Sequence, residues 1–170
     1  MNIVIREARI SDAQNIAALS IQVWLHTYAK VGIRDVFSRY VLTEFTADRF
    51  AQEIANEQKQ LIVAEVADHL VGYIRLDFEA ICPIRSIAQP EIETLYVQEH
   101  FAGRGVGSAL LNKAVESCTS RDQHQVWLLV NQQNLTAYRF YESKLFQRIG
   151  TVDFELESER HANDVLVKRL

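Results

Sequence analysis

Cysteine is almost missing from this chain: Cys82 and Cys118 are the only two, they stand far apart, and they form no C-x-x-C unit. That spacing argues against a disulfide framework or a zinc site, and it fits a reducing compartment, so the expected location is cytoplasmic. Long apolar runs are lacking too. The longest, such as Val126 to Val130, are of strand length, and no membrane span is expected. The opening MNIVIREAR carries charges where a secretory leader would need an unbroken apolar core. Positive charge is not in excess: the formal net charge is −4, and the lysines and arginines are scattered rather than gathered in a stripe. This excludes the electrostatic footprint of a nucleic-acid binder and suits a cationic partner better. His26, His69, His100, His124 and His161 are too dispersed for a metal motif, so no metal is expected. Neither H-E-x-x-H nor G-x-S-x-G occurs to support hydrolysis.

What is present is ordinary for a globular protein, with 48% hydrophobic and 24% charged residues over 170 positions. A chain of this length without linker, repeat or low-complexity segment reads as one domain, 1–170, with a sizeable core. Ile3 and Ile5 mark a first strand, and Ser11-Asp-Ala-Gln reads as a capping box that opens a helix reaching about Tyr28. Asp35 to Leu42 and Ala47 to Glu57 read as helices. Two β-rich runs around Ala67-Asp68-His69 read as an antiparallel hairpin. Pro83 and Pro90, the two prolines of the chain, mark Glu79 to Pro90 as a loop. A strand from Glu91, a helix over 103 to 118, a strand Gln125 to Val130, a helix Asn134 to Leu145, a strand Phe146 to Leu156 and a last strand near Asp164 to Lys168 follow. Alternation from Phe154 to Glu157 looks like a strand edge. The economical architecture is α/β: one mixed sheet of about seven strands with helices on both faces.

Glycine is scarce as well, six in all, yet three stand together at 103, 105 and 107 between the strand and the amphipathic helix. Glycine lets the backbone take positive φ and come within hydrogen-bonding distance of phosphate oxygens. A helix N-terminus there adds a fan of N–H donors and about half a positive charge, which is what a diphosphate needs. Neither common nucleotide motif fits: Ser108 and Leu110 stand where G-x-G-x-x-G would need glycine, and no P-loop ending in Gly-Lys-Ser/Thr exists.

A third pattern does fit. The loop resembles the signature of the GNAT superfamily of acyl-CoA-dependent N-acyltransferases, in which a strand is followed by Gln/Arg-x-x-Gly-x-Gly/Ala and a helix. Gly105 and Gly107 take the small positions, Ala102 stands at the Gln/Arg position, and neighbouring Arg104 carries a charge. Downstream, Asn134-x-x-Ala137-x-x-Phe140-Tyr141 followed by Leu145-Phe146 is similar to the family's N-x-x-A-x-x-F/L-Y-x-x-x-G-F block. Leu145 replaces the usual glycine, and because a bulky residue avoids the left-handed region, the helix C-cap there is expected to suffer.

The resemblance implies a mostly antiparallel, mixed seven-stranded sheet and a direct transfer of acetyl from acetyl-CoA to an amine. It implies that the amides of Gly103, Arg104, Gly105, Val106, Gly107 and Ser108 hold the diphosphate. It also implies that Leu95, Tyr96 and Val97 pair with the pantetheine arm and that Asn134 meets the cofactor. From its spacing alone, Asn134 is equally an ordinary helix N-cap. An alkylamine near pKa ~10 must shed a proton before it attacks, so a base is required. Along the strand Glu91, Glu93, Leu95 and Val97 share one face and Ile92, Thr94 and Tyr96 the other. Glu93 is the expected base, directly or through water, with a solvated strand carboxylate as the ordinary alternative. The departing thiolate needs a proton, and Tyr141 matches the family's donor; a core aromatic on the helix stripe is its alternative. Trp24, His26 and Tyr28 are candidates to roof the acceptor pocket, or simply to pack.

Within the superfamily, LYV before the loop, FYESKLF and the terminal DVLVKRL look most like the bacterial polyamine (spermidine/spermine) branch. The acceptor is read as a small-molecule amine, with no nucleic acid or membrane as partner and a homodimer left open. An aminoglycoside or a protein N-terminus, a non-catalytic acyl-CoA sensor, and a nicotinamide or nucleotide enzyme using the glycines differently are the competing readings.

Overall fold

The computed structural model describes residues 1–156 and 159–170. In chain order its elements are β1 (Val4–Glu7), α1 (Ala13–Tyr28), α2 (Asp35–Glu44), α3 (Ala47–Ile54), β2 (Lys59–Val66), β3 (His69–Asp77), β4 (Ile81–Cys82), β5 (Ile87–Ala88), β6 (Glu91–Val97), α4 (Val106–Ser120), β7 (Gln125–Asn131), α5 (Leu135–Ser143), β8 (Gln147–Leu156) and β9 (Glu159–Arg169). Seven strands follow the order β1-β2-β3-β6-β7-β9-β8, and β4 and β5 make a separate two-stranded sheet. β1/β2, β7/β9 and β8/β9 are antiparallel and β6/β7 is parallel, which gives the mixed, mostly antiparallel sheet that was expected. Glu157, at the end of the alternating Phe154 stretch, lies outside the described residues. Among the described residues, no helix is long and apolar enough to cross a membrane.

The chain divides into two compact units, Met1–Arg75 with Thr94–Ala114, and Leu76–Glu93 with Val115–Leu170. In the first, β2 and β3 are joined by Ala67 (φ 50°) and Asp68 (φ 62°). Two consecutive left-handed residues make a type I′ hairpin turn, here without the glycine that would have announced it in the sequence. Tyr73 of β3 and Tyr96 of β6 pack with Ile16, Leu19 and Phe50 of α1 and α3. Gly72 is one residue away and therefore on the other face; a Cβ there would lie 3.3 Å from Leu110 of α4. Helices thus cover both faces of these strands.

The start of α1 differs from the expected capping box. A 3-10 turn, Ile10–Asp12, precedes the helix, and Asp12 rather than Ser11 fills the N-cap position. Its carboxylate accepts the Arg9 backbone N–H at 2.7 Å and both Arg6 guanidinium nitrogens at 2.7 and 2.9 Å, while Glu65 of β2 also accepts from Arg6. This bidentate, charge-assisted pair takes up the carboxylate, which makes no capping hydrogen bond to α1 itself. These hydrogen bonds, the Arg6 one above all, hold the Asp12 carboxyl below its ordinary range, and its side chain is 11% exposed. A depressed folded-state pKa stabilises above the unfolded value of about 3.9 and loses that contribution as pH falls through the lower folded value. Asp12→Asn should therefore cost about 1–3 kcal/mol near neutrality. The deficit should shrink as urea unfolding is repeated from pH 6 downward; an equal deficit at every pH would remove the charge from the explanation.

In the second unit, β7 pairs along its length with β9, from Gln125 opposite Arg169 to Asn131 opposite Asn163. Cys82, Trp127, Val165 and Val167 form its buried cluster. Both cysteines are free and buried, and burial pushes the Cys118 thiol up to about 11, which leaves it inert. The stretch read as a loop, Glu79 to Pro90, contains β4 and β5, with Ile81 opposite Ala88 and Cys82 opposite Ile87. Buried Cys82 anchors this small hairpin, and two-residue strands are too short to leave a periodic trace in sequence.

The end of α5 corrects the expectation at Leu145. Its φ is +66°, so the left-handed cap forms despite the leucine. The Leu145 N–H reaches the Glu142 carbonyl at 3.0 Å, and the Phe146 N–H reaches the Tyr141 carbonyl at 3.1 Å. The side chain is 74% exposed, so burial offsets none of the strain. Leu145→Gly should stabilise by about 0.5–1 kcal/mol, net of the looser unfolded chain, and raise Tm by a few degrees. A lowered Tm would show that the leucine contributes packing at this turn.

Candidate active site

β6 leads directly into the glycine loop. Its parallel ladder pairs Glu91 with Trp127 and Ile92 with Leu128, and Glu93 to Val97 run on past these rungs. A 3-10 turn, Glu99–Phe101, then brings the chain to Gly103 (φ +72°) and Gly105 (φ +89°). The Gly105 carbonyl accepts the Ala109 N–H at 3.0 Å and so caps the helix. α4 begins at Val106, not at 103 as the sequence suggested, because neither left-handed glycine can belong to it, and Gly107 lies within its first turn. Among the described residues the N–H groups of Gly105, Val106, Gly107 and Ser108 have no backbone acceptor, as a helix start requires. A Cβ at Gly103 or Gly105 would meet nothing within 4 Å. Conformation and an open approach, rather than crowding by neighbours, are what glycine provides there. The Arg104 guanidinium lies 5.9 Å from the centre of the Phe101 ring.

Strand alternation sends Glu93, Leu95 and Val97 to one face and Thr94 and Tyr96 to the other, and all five are half-buried. Tyr96 joins a run of rings: Tyr73 at 5.8 Å, Phe45 at 6.5 Å, then Tyr40, Trp24, Tyr28 and Phe37. Tyr73 is fully buried and shares a 2.8 Å hydrogen bond with Ser20; burial pushes its phenol up to about 12. The three residues grouped by sequence at the end of α1 separate: Trp24 and Tyr28 enter the aromatic run, whereas His26 Nδ1 sits 3.3 Å from Glu99. Gln22 accepts a 2.8 Å hydrogen bond from Gln98, so α1 holds the segment before the glycine loop at two points.

One positioning residue escaped the sequence reading. A Cβ on Gly72 would stand 2.8 Å from the Tyr96 carbonyl, so only glycine lets β3 lie this close to the C-terminal end of β6. The signal available was a glycine inside the apolar run LVGYIRL, which marks a close backbone approach.

In the second unit Asn134 caps α5, its Oδ1 accepting the Ala137 N–H at 3.1 Å. Tyr141 is 8% exposed, stacked edge-on against Phe140 at 5.2 Å and Phe146 at 5.4 Å. Burial raises its phenol well above the ordinary range, so it is protonated at neutral pH.

Residues 24–160 match the acetyltransferase (GNAT) domain family. An uncharacterized N-acetyltransferase of Mycobacterium bovis is 26% identical over 95% of this chain and 99% of its own length. Another, from Lactobacillus delbrueckii, is 26% identical over 94% of this chain and 92% of its own. Among solved structures, the PaiA N-acetyltransferase of Thermoplasma acidophilum, in complex with coenzyme A, superposes with a TM-score of 0.78 at 20% identity, covering all of both chains. YncA of Salmonella typhimurium, with its cofactor acetyl-CoA, gives 0.74 at 20% identity over 99% of this chain and 94% of that one. With a strand–glycine-turn–helix unit in place and a family match across most of its length, the chain belongs to the GNAT acetyltransferase family.

Proposed function

We propose that this chain moves the acetyl group of acetyl-CoA to a primary amine of a small molecule by direct transfer, its two units working as the single domain spanned by the family match. The observation that carries the reading is the row of N–H donors at Gly105 to Ser108, opened by two left-handed glycines at a helix start. Gly103 extends this cradle for the diphosphate, and Arg104, whose N–H already donates to the Phe101 carbonyl at 3.4 Å, adds its guanidinium. Beyond the rungs with β7, the backbone of Leu95, Tyr96 and Val97 takes the pantetheine arm as an added strand, and one of its N–H groups polarises the thioester carbonyl. Asn134 keeps its cap while its amide nitrogen remains available to the cofactor. Coenzyme A and acetyl-CoA in the Thermoplasma and Salmonella proteins support the same donor here.

Glu93, directly or through water, takes the proton that the ammonium sheds before attack; the nitrogen then bonds to the acyl carbon, the carbon–sulfur bond breaks, the thiolate takes a proton from Tyr141, and the second proton, lost by the nitrogen as the amide forms, restores the Tyr141 phenol. The resemblance to the polyamine branch and the net charge of −4 place spermidine and spermine in the acceptor panel. The test is CoA-thiol release from acetyl-CoA across that panel, with an aminoglycoside and a peptide N-terminus included. Thiol release with at least one amine is expected. Stabilisation by CoA without any turnover would instead select the sensor, and preferential stabilisation by NAD or ATP would select a nucleotide enzyme.

A further inference from the structure

Two carboxylates are buried among the described residues, Asp12 and Asp164. Asp12 ties the start of α1 to β1, whereas Asp164 stands in the middle of β9, between Val130 of β7 and Thr151 of β8. A carboxylate inside a sheet costs desolvation, and an apolar residue would pack there without that cost. Three side chains meet its Oδ1: Gln132 Nε2 at 2.8 Å, Arg148 Nε at 2.8 Å and Thr151 Oγ1 at 2.9 Å. Arg148 and Thr151 belong to β8, whose backbone already pairs with β9 on both sides of Thr151. β8 therefore needs no carboxylate to stay in place.

Gln132 is different, because it lies beyond β7, in the turn 132–134 that leads into α5. The side chain of an exposed residue here reaches inward to a buried acceptor. Its backbone N–H also reaches β9, at the Ala162 carbonyl, 3.1 Å away. The rest of the turn follows from that grip. The Gln133 N–H reaches Asn131 Oδ1 at 2.8 Å, and the Asn134 N–H reaches the Asn131 carbonyl at 2.9 Å. Asn134, assigned above to the cofactor, is thus set by a turn that Gln132 clamps to the sheet. The far end of α5 is held separately: the Phe146 N–H reaches the Tyr141 carbonyl at 3.1 Å, Lys168 Nζ reaches the Lys144 carbonyl at 2.8 Å, and the Tyr141 ring packs between Phe140 and Phe146.

We propose that Asp164 and Gln132 are positioning residues for the cofactor: the buried carboxylate holds the Gln132 amide, and this bond orders the turn so that Asn134 is in place before the cofactor arrives. Binding then pays less for ordering the turn. The inference rests on the acetyltransferase reading above and deepens its cofactor site. Such a role acts on binding rather than on chemistry, because Asn134 serves ground state and transition state alike while Tyr141 keeps its own anchors.

The test measures kcat, KM for acetyl-CoA and thermal stabilisation by CoA in Gln132→Ala, Asp164→Ala, the double variant and Thr151→Val. Gln132→Ala is expected to raise KM for acetyl-CoA by about three- to tenfold, the worth of one net hydrogen bond, with kcat unchanged and stabilisation by CoA reduced. Asp164→Ala should do the same, and the double variant should add nothing further, because both changes break one bond. Asp164→Leu, which fills the site without a charge, replaces the alanine variant if that one does not fold. Thr151→Val removes a donor to the same carboxylate without touching the turn, and should keep the wild-type KM whatever its Tm. A wild-type KM and CoA shift in Gln132→Ala, or an equal rise in KM in Thr151→Val, overturns the inference and leaves the acetyltransferase reading standing. If the unmodified protein shows neither stabilisation by CoA nor thiol release with any amine, that reading falls, and this inference with it.

Discussion

Glu93→Gln is expected to lower kcat by about 10²–10³-fold while KM for acetyl-CoA stays near its wild-type value. Glutamine matches the carboxylate in size and keeps hydrogen bonds to its surroundings, so the strand is preserved and only proton acceptance is lost. The acceptor arrives largely as ammonium, and without a base it must lose its proton to bulk water, which the bound state restricts. The loss should therefore be largest near neutrality and diminish at high pH, where free amine becomes abundant. A structural carboxylate would behave differently, lowering Tm with kcat intact. Glu91 shares the same face but sits at a rung with Trp127, inside the β7 ladder. Should Glu91→Gln carry the loss instead, the base lies two residues upstream; should neither variant lose activity at any pH, no carboxylate on β6 is the base.

Much of the fold was legible because its long elements have strong periods. α1 ends at Tyr28, and β6 and β7 begin at Glu91 and Gln125, as the sequence indicated. What failed was local and energetic. The capping box did not form at α1 because the Asp12 carboxylate, at the N-cap position, is taken up by Arg6 arriving from β1 and by the Arg9 N–H, contacts invisible to a four-residue pattern. The β4–β5 pair is held by the burial of Cys82 rather than by any repeat. Leu145 takes a conformation that its side chain disfavours because Phe146, 4% exposed, must be returned to the core. The donor end of the candidate site was readable because phosphate recognition uses backbone geometry, and glycine records such geometry directly. The aromatic run was not: Trp24, Tyr28, Tyr40, Phe45 and Tyr96 come from α1, α2, the turn after it and β6, and only folding brings their rings together. Gly72 falls between the two cases, a visible glycine whose purpose needed the Tyr96 carbonyl to be placed.

Gly105→Val should weaken CoA binding by about 100-fold, equivalent to roughly 2.7 kcal/mol. At φ +89° a β-branched residue is strained whatever space surrounds it, so the loop must rotate and turn the N–H groups of Val106 to Ser108 away from a common focus. Space does not prevent the substitution, since nothing lies within 4 Å of the added Cβ. The branched carbons would project into the open approach that the diphosphate needs. Two effects must be separated, strain on the free protein and loss of ligand. At a CoA concentration near 100 wild-type Kd, linkage gives the wild type about 2.7 kcal/mol of added stability, whereas a variant weakened 100-fold keeps only about 0.4 kcal/mol. Thermal melts with and without CoA report that difference independently of any drop in the ligand-free Tm. Gly105→Ala, strained but smaller, should fall between the two. Undiminished stabilisation in the valine variant would mean that the cofactor's phosphates are bound somewhere other than this loop.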